Sequence, residues 1–481
     1  MTETLGEKLI EKGLVTTAQV EKALVRQKLH GGRLGHNLAS LGFISHSTLN
    51  SFLRQKPPAP ATVDDTGLHP DFIAELALKV IFYLGNFNIF DVSDKLMLPI
   101  NIVDAALQTL RQEKFCEVKG GTGYESTTYL YTISGAGRQR AMELLEKNHY
   151  VGPAPVTLED YTRMCELQTI KNMYVSEEEI KKAFSPYVIS EQLFNQIGPA
   201  VNSGKSIFLY GPAGNGKTTI AEAVGSLMGE DIYIPHAVSV EREIIRVYDP
   251  INHKPTPEEQ TGDGGRRGGR SDGQDAEYDH RWVLCKRPVV LVGGELTLGM
   301  LDLDFNPISR YYEAPFQMKA NGGVFIIDDF GRQMVRPRDL LNRWIVPLER
   351  RTDFLALHTG KKFEVPFDQL VIFSTNIEPR ELVDEAFLRR IRYKVKIDHP
   401  TFAEYMEIFR RICDSNDIEF DQEVVEYLLK ERYEKHGVKP NSCHPRDLVD
   451  QLIDIARYRN TKPILNKELL DYAWLNYFVD I

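Results

Sequence analysis

Three short apolar runs in the second half of the chain each end in polar or turn residues. The runs are IFLY at 207–210, VFII at 324–327 and LVIF at 370–373, and they are followed by glycine, by two aspartates and by Ser-Thr-Asn. Such a run is typical of a strand buried on both faces of a parallel sheet. The segment after the first run, TTIAEAVGSL, predicts a helix. The pattern therefore predicts an α/β fold with a parallel sheet.

Residues 70–150 predict a different order of elements. DFIAELALKVIFYLG predicts an apolar-rich helix, and VSDKLMLPINIVDAALQTLRQEKF predicts two helices joined by a turn. CEVKGGTGYESTTYLYTIS predicts two strands around a glycine-rich turn, and GAGRQRAMELLEKN predicts a closing helix. This order resembles a winged helix-turn-helix, whose recognition helix would lie near residues 100–115.

Charge argues against DNA reading by this winged-helix-like unit. Residues 70–150 contain ten acidic residues against eight lysines and arginines, whereas DNA-binding modules carry a basic face. The predicted recognition helix offers Arg111 and Lys114 beside Asp104 and Glu113. We therefore expect the unit to contact protein or to act as a spacer, with DNA reading as the alternative.

Composition narrows the class of protein further. The 481 residues carry a net charge of −10, which argues against a general nucleic-acid or anionic-membrane binder. The five cysteines are scattered and form no CxxC pair, which favours reduced thiols over disulfides or zinc. Since neither a signal peptide nor a membrane-spanning apolar run is apparent, we expect a cytoplasmic protein without direct membrane insertion.

The segment after the first apolar run contains the pattern G-x-x-x-x-G-K-T. Its glycines allow backbone N–H groups to surround phosphate oxygens, its lysine reaches the β- and γ-phosphates, and its threonine hydroxyl can ligate Mg²⁺. The predicted strand before it and helix after it give the context that the motif requires. We predict ATP and Mg²⁺ as cofactors, bound by a phosphate loop made of Gly211, Pro212, Ala213, Gly214, Asn215, Gly216, Lys217, Thr218 and Thr219.

Polar residues after the other two runs complete a predicted site for ATP hydrolysis. Asp328 would hold Mg²⁺ together with Thr218, and Asp329 lies where a carboxylate can polarise the attacking water. Asn376, after the third run, can reach the γ-phosphate and the water from the neighbouring strand.

Together with three arginines nearer the C-terminus, these motifs resemble the AAA+ ATPase family over roughly residues 189–481. The resemblance implies that Asn376 is sensor 1, that Arg389 or Arg390 is the arginine finger, and that Arg446 is sensor 2. It also implies a homo-oligomeric ring, expected to be a hexamer, in which the finger of one subunit completes the site of its neighbour. The choice between the two adjacent arginines stays open.

Two features distinguish this chain within that family. The family has Asp-Glu where this chain has Asp328-Asp329, which leaves a slow-turnover nucleotide-binding scaffold as an alternative. The long stretch before Asp328 resembles the helix-2-insert, MoxR-like branch, which implies an unknown protein substrate that is remodelled. Within that stretch, WVLCKRPVVLVGGEL predicts a hairpin, and a segment near 250–282, rich in glycine and charge, predicts a flexible insertion.

Proline-rich joints beginning at Lys56 and Tyr150 divide the chain. We expect a small helical domain at 1–55, a linker at 56–69, the winged-helix-like domain at 70–150, a nucleotide-binding α/β core at 151–400 and a helical lid at 401–481. The fold class is therefore multidomain α/β.

The opening residues repeat one pattern. TLGEKLIEKG begins at Thr4 and RLGHNLASLG at Arg33, and each copy continues into an amphipathic helix. The repeat resembles the MshEN domain of some secretion and pilus ATPases, which binds cyclic di-GMP. By residue match, the resemblance implies a cyclic di-GMP site formed by Leu5, Gly6, Leu9, Ile10, Gly13, Gln27, Arg33, Leu34, Gly35, Leu38, Gly42 and Gln55.

The first copy departs from the MshEN pattern at Thr4, where the family has arginine, so a docking module of the same fold is the alternative. The sequence predicts a cyclic di-GMP-responsive AAA+ ATPase that remodels or powers a protein assembly, such as a pilus, secretion or surface machine. A DNA-associated regulatory ATPase that uses the winged helix is the rival prediction.

Overall fold

The computed structural model describes residues 5–31, 34–45, 48–49, 52, 56–121, 129–229, 231–257, 278–382 and 385–478. Buried side chains in these ranges form separate clusters for the N-terminal helices, the middle unit, the α/β core and the lid. None of the helices in these ranges has both the length and the apolar character needed to cross a bilayer.

The two copies of the N-terminal sequence repeat form the same hydrogen bond at the end of their first helix. Its helices are α1 (Leu5–Glu11), α2 (Thr17–His30) and α3 (Leu34–Ser40). Gly13 and Gly42 end the first helix of each copy with φ of 68° and 70°. Their N–H groups donate to the carbonyls of Ile10 and Ala39, both at 2.9 Å. The two copies therefore share one helix–turn conformation that requires glycine at the left-handed position.

The middle unit has the four helices and the strand pair that the sequence predicts, together with a short strand at Asn86–Phe87 that it did not predict. It comprises α4 (Pro70–Leu84), β1 (Asn86–Phe87), α5 (Ile89–Leu96), α6 (Ile100–Gln112), β2 (Cys116–Gly121), β3 (Tyr129–Ile133) and α7 (Gly135–Lys147). The strands form an antiparallel sheet in the order β1-β3-β2. Pro70 opens α4, where a missing N–H costs no hydrogen bond, and Asn88 caps α5 in a capping box with Asp91.

The α/β core begins with the elements that surround the phosphate loop. They are β4 (Val156–Thr157), α8 (Leu158–Leu167), α9 (Glu177–Ala183), α10 (Glu191–Asn202), β5 (Ile207–Tyr210), α11 (Lys217–Ser226), β6 (Asp231–Pro235), β7 (Ala237–Val240), β8 (Glu243–Arg246), β9 (Trp282–Lys286) and β10 (Val289–Val292). The core continues with β11 (Asp304–Phe305), β12 (Tyr312–Glu313), α12 (Phe316–Lys319), β13 (Val324–Ile327), α13 (Pro337–Arg350), β14 (Thr352–Ala356), β15 (Lys362–Pro366), β16 (Leu370–Thr375), α14 (Pro379–Leu382), α15 (Glu385–Leu388) and β17 (Tyr393–Lys396).

A five-stranded parallel sheet in the order β10-β13-β16-β5-β17 lies at the centre of the core. The three apolar runs of the sequence are β5, β13 and β16, so the predicted α/β class and parallel sheet are confirmed. Successive residues of β5 enter different clusters: Ile207 and Leu209 pack with α11, whereas Phe208 packs towards Trp344 of α13. Burial on both faces explains why these strands are continuously apolar.

The predicted hairpin at WVLCKRPVVLVGGEL is wrong. Its two halves are β9 and β10, which belong to different sheets: β9 pairs antiparallel with β6, and β10 pairs parallel with β13. Arg287 and Pro288 join them, and the Arg287 guanidinium donates to the carbonyls of Gln168 and Gly322. The local pattern suggested a turn, but tertiary pairing separates the two strands.

The insertion predicted near 250–282 is ordered at both ends. His253 and Thr256 are buried, as are Asp279 and Arg281 at the far end. Residues 258–277, which carry most of the glycine-rich sequence, lie outside the described residues. The near end pairs with β9: Pro255 bridges Cys285, and the Thr256 N–H donates to the Leu284 carbonyl at 3.0 Å. A second sheet of the core has the order β11-β12-β8-β7-β4.

The lid is mostly helical, and its last helix ends at Tyr477. It contains α16 (Phe402–Ser415), α17 (Gln422–Leu428), α18 (His444–Tyr458) and α19 (Lys467–Tyr477), with a π-helical turn at Leu429–Glu434 after α17. Thr401 caps α16 in a capping box with Glu404. Leu428, Leu452 and Leu470 are completely buried where the helices meet, which explains the apolar stripe on each helix.

Candidate nucleotide site

The phosphate loop runs from the end of β5 to the start of α11, and its three glycines have positive φ. Gly211 (φ 136°) lies against the end of β17, where a Cβ would collide with the carbonyl oxygen of Ile397. Gly214 (φ 75°) and Gly216 (φ 79°) adopt conformations that other residues rarely reach. The loop between them contains Pro212, Ala213 and Asn215.

Lys217 folds back over the loop and is buried. Its ammonium donates to the carbonyls of Gly211 at 3.0 Å and Pro212 at 2.8 Å. Burial lowers the pKa of Lys217, and the nearby carboxylates of Asp328 and Asp329 oppose that shift. The lysine is therefore held at the loop by backbone carbonyls, and the two carboxylates favour its charged form.

The predicted metal ligands lie together at the carboxyl edge of the sheet. The Thr218 hydroxyl, in the first turn of α11, donates to Asp328 Oδ2 at 2.8 Å. Hydroxyl and carboxylate oxygens are ligands that Mg²⁺ prefers, and Mg²⁺ commonly takes few protein ligands and completes its shell with phosphates and water. In the described part of the chain, no group of three or more His, Cys, Asp or Glu side chains could hold a metal ion. The residues present fit Mg²⁺ that arrives with a nucleotide.

Asp329 and Asn376 also meet, from neighbouring strands. The Asn376 amide, directly after β16, donates to Asp329 Oδ1 at 3.1 Å. Asp329 has φ 48° and an exposed side chain, so it leaves the strand β13 abruptly and faces the open side of the site. A carboxylate that is oriented by an amide and open to solvent has the chemistry to polarise water.

Arg389 and Arg390 lie near the amino ends of the central strands, whereas the phosphate loop lies at their carboxyl ends. They precede Tyr393, which pairs with Ile207 at the start of β5, whereas the loop follows the end of β5. The four residues of β5 place its two ends about 13 Å apart. The two arginines are therefore not brought to the phosphate loop of their own chain.

The two arginines have different surroundings. Arg390 Nε pairs with Glu349 Oε1 of α13 at 2.6 Å, and its side chain is 29% exposed. Arg389 is exposed. Arg446, in the first turn of α18, is 66% exposed and pairs with its neighbour Asp447 at 3.3 Å.

Contacts from the lid to the phosphate loop are the part of the site that the sequence did not predict. The N–H groups of Ser442 and Cys443 donate to Asn215 Oδ1 at 3.0 Å and to the Gly214 carbonyl at 2.8 Å. Asn441 lies beside Asn215 as well. The segment KPNSCH shows no motif, and the only available signal was its place directly before the helix that carries Arg446.

The residues predicted to bind cyclic di-GMP divide into buried and open ones. Leu9 and Leu38 are completely buried in the core of the N-terminal unit, so their side chains serve folding. Gly6 and Gly35 occupy equivalent places against Val20 and Leu49. The open or half-buried positions are Leu5, Ile10, Gly13, Gln27, Leu34 and Gly42. Arg33 and Gln55 lie outside the described residues.

Comparisons with known proteins add little to this geometry. A family model described as "Domain of unknown function (DUF8689)" matches residues 401–476, which form the lid. No curated protein matches the sequence.

Among solved structures, the RuvB Holliday junction branch migration motor of Thermotoga maritima is 14% identical, with 64% of this chain and 71% of that chain covered and a TM-score of 0.32. NtrX from Brucella abortus is 15% identical, with 61% and 57% covered and a TM-score of 0.36. NtrX in complex with ADP is 16% identical, with 61% and 56% covered and a TM-score of 0.31. Likeness this weak carries no argument, so function has to be argued from this chain's own residues.

Proposed function

We propose that this chain is an ATPase of the AAA+ type that acts on a protein assembly. The observation that supports it is the pair of hydrogen bonds Thr218–Asp328 and Asn376–Asp329. They bring the phosphate loop and the ends of two neighbouring strands to one place, above the buried ammonium of Lys217. A buried strand ending in carboxylates has a structural role in many proteins, but here both carboxylates face side chains that a triphosphate requires.

Each side chain has a role that follows from its chemistry. The loop N–H groups and Lys217 bind the phosphates, and Thr218 with Asp328 would hold Mg²⁺. When bound, Mg²⁺ neutralises charge on the phosphates. Asp329 accepts a hydrogen bond from the attacking water and polarises it, and Asn376 orients that carboxylate. Hydrolysis then yields ADP and inorganic phosphate.

The proposed assembly is a ring, because the chain's own finger candidates do not reach its own site. Arg389 or Arg390 would act on the nucleotide of an adjacent subunit, where a trans arginine can raise the rate by several orders of magnitude. Arg446 would approach the same nucleotide from the lid as sensor 2. That the ring is a hexamer and that its substrate is an unknown protein is implied by the family resemblance alone.

Removal of Lys217 tests the ATPase proposal. We expect Lys217→Ala to abolish ATP binding or turnover, because it deletes the ammonium held inside the phosphate loop. Phosphate release by the purified full chain is the measurement. Lys205→Ala is the control, since Lys205 is exposed just before β5. Unchanged hydrolysis in Lys217→Ala would refute the phosphate-loop assignment.

We also propose that the N-terminal unit senses cyclic di-GMP. The proposal is supported by the repeated helix–turn hydrogen bonds and by the match of the repeat to the MshEN pattern. Arg33 occupies the arginine position of the pattern in the second copy, where the first copy has Thr4. A guanidinium can stack on guanine and form hydrogen bonds to its edge.

Calorimetry on the full chain tests this proposal. We expect cyclic di-GMP to bind, and Arg33→Ala to weaken binding more than His36→Ala, whose position the pattern does not constrain. No heat and no shift in melting temperature at high cyclic di-GMP would leave the docking-module alternative.

A further inference from the structure

The tip of the phosphate loop is attached to the lid by hydrogen bonds that the proposed chemistry does not use. Cys443 N–H donates to the Gly214 carbonyl at 2.8 Å, and Ser442 N–H donates to Asn215 Oδ1 at 3.0 Å. Contact is close as well as directional, because a Cβ on Gly214 would lie 2.6 Å from the Cys443 sulfur. The lid therefore rests directly on the loop.

Asn215 is placed to serve this contact rather than the phosphates. Its side chain is buried, with 4% of the residue exposed. Its amide faces the Pro212 carbonyl at 3.4 Å and Asn441 Oδ1 at 3.5 Å, on the lid side of the loop. A buried amide with partners on two separate elements specifies one arrangement of those elements, since a displaced partner leaves a polar group unsatisfied.

A second contact extends from the lid segment to the joint between core and lid. His399 lies between the end of β17 and the start of α16, and its Nδ1 is 2.8 Å from Asn441 Oδ1 and 3.2 Å from the Pro440 carbonyl. Because both partners are oxygens, this nitrogen carries the proton and donates. Asn441 thus connects the joint to Asn215 in the loop.

We infer that Asn215 is a positioning residue that couples occupancy of the phosphate loop to the lid through residues 441–443. A bound phosphate fixes the loop backbone around Gly214 and Asn215, and the contacts pass that constraint to the lid and to the joint at His399. This inference rests on the proposed nucleotide site. It gives residues 441–443, which lie in the lid, a role at that site.

The chain contains its own probe of this contact. Of the five cysteines, four are buried and Cys443 is half-buried, with its sulfur over Gly214. The rate at which N-ethylmaleimide modifies Cys443 in the folded full chain therefore reports how closely the lid lies on the loop. Binding of a fluorescent ADP analogue, measured separately, reports whether the site takes nucleotide at all.

We expect ADP with Mg²⁺ to slow modification of Cys443 several-fold in the wild type. In Asn215→Ala, modification should be faster without nucleotide and should respond little to ADP. The KM for ATP should rise by up to about tenfold, as loss of one buried hydrogen bond allows, with a smaller change in kcat. Asn441→Ala, which leaves the loop sequence intact, should shift the same readouts in the same direction.

Asn321→Ala is the matched control. Asn321 is equally buried, at 6% exposed, but its amide bonds to Tyr161 and Pro366 on the far side of the core. It should lower stability while leaving the effect of ADP on Cys443 unchanged. If the analogue binds and ADP protects Cys443 equally in wild type, Asn215→Ala and Asn441→Ala, the coupling role is wrong. Binding without any protection in the wild type would also overturn it, whereas failure of the analogue to bind refutes the proposed nucleotide site itself.

Discussion

Asp329 is the residue at which this site differs most from the family pattern it resembles. Its side chain is one methylene shorter than glutamate, and its φ of 48° turns the backbone out of the strand towards Asn376. A non-glycine residue in this region of φ and ψ is uncommon and marks a position that its surroundings hold in place. The backbone turn and the amide of Asn376 together fix where the shorter carboxylate lies.

Replacement of this carboxylate by an amide tests its proposed role. We expect Asp329→Asn to lower kcat by about a hundredfold or more, because an amide polarises water far less than a carboxylate. The KM for ATP should change much less, since the phosphate loop is intact. Asp339→Asn is the control, because Asp339 forms a surface pair with Arg336 on α13. A variant that keeps the turnover of the wild type would refute this role of Asp329, whereas very slow turnover of the wild type itself would favour the scaffold alternative.

At this scale the sequence predicts the polar residues at strand ends but not the partners of Asn215. The glycines, Lys217 and the carboxylates follow from the motif, because phosphate chemistry restricts which residue types serve there. The contact of Asn215 with Ser442 joins residues 227 positions apart. Its donor is a backbone N–H, which every non-proline residue has, so no residue type marks it.

Among the elements, α18 has a buried histidine at its start. His444 Nδ1 accepts from Asn441 N–H at 3.2 Å and faces the Tyr433 hydroxyl at 2.9 Å. Since that nitrogen is an acceptor, Tyr433 donates to it, and Tyr405 donates to Tyr433 in turn. The chain of bonds links α16, the π-helical turn and α18, and it requires neutral His444.

Acid should therefore weaken the lid. Burial lowers the pKa of His444 to about 4; Asp447 opposes the shift and His399 adds to it. Between about pH 6.5 and pH 4 the unfolded chain binds a proton at this residue that the folded chain does not, so stability falls as pH falls through that window. We expect a loss of about 3 kcal/mol, measured by urea denaturation with a probe of the lid.

Two histidine variants test whether His444, rather than another titrating group, causes this pH dependence. His444→Gln should be less stable at pH 7 but should lose most of the pH dependence between pH 6.5 and 4. His436→Gln, at an exposed position of the lid, should keep it. An unaltered pH dependence in His444→Gln would show that another group is responsible.

Elements with a strong periodic pattern were predictable, and those defined by distant pairing were not. The middle unit and the three core strands lie where the pattern places them. The strands β9 and β10 read as a hairpin because they are close in sequence, yet each pairs with a strand far along the chain. Residues 250–257 looked mobile by composition, although His253 is completely buried through bonds to Asp249 and Lys319.

At the scale of the whole molecule, one buried ion pair joins the linker, the core and the edge of the insertion. Arg281 and Asp279 bond through both carboxylate oxygens, and each side chain is 3% exposed. The same guanidinium donates to the carbonyls of Thr66 and Pro155 at 3.1 Å. The linker is thus held to the core at Thr66.

Breaking this pair should be costly. We expect Arg281→Met to lower the free energy of unfolding by about 3–5 kcal/mol, because it leaves Asp279 charged, buried and unpaired. Replacing both residues, as Asp279→Leu with Arg281→Met, should be less destabilising, since no buried charge remains. Chemical denaturation of the three proteins is the measurement, and a double variant as unstable as Arg281→Met would show that the backbone contacts of Arg281 matter more than the pair.

The position of Arg389 and Arg390 gives the strongest test of the proposed ring. The strand β5, about 13 Å long, separates the phosphate loop from the end of the sheet at which they lie, a span beyond the reach of a side chain anchored at that end. If they serve catalysis, they serve it in another subunit. We therefore expect Arg389→Ala/Arg390→Ala chains and Asp329→Asn chains to be inactive alone and to regain activity when mixed. An intact arginine then faces an intact Asp329 at the mixed interfaces.

The single variants distinguish the two arginines in the same assay. Arg390 is held by Glu349, whereas Arg389 is exposed, so Arg389→Ala should cost more activity than Arg390→Ala. Sedimentation with and without ATP follows assembly alongside phosphate release. Active chains that never assemble, or mixtures that assemble with ATP but stay inactive, would contradict an arginine supplied by the neighbour. The first result would mean that one chain hydrolyses ATP alone, and the second that a neighbour's arginine does not restore activity.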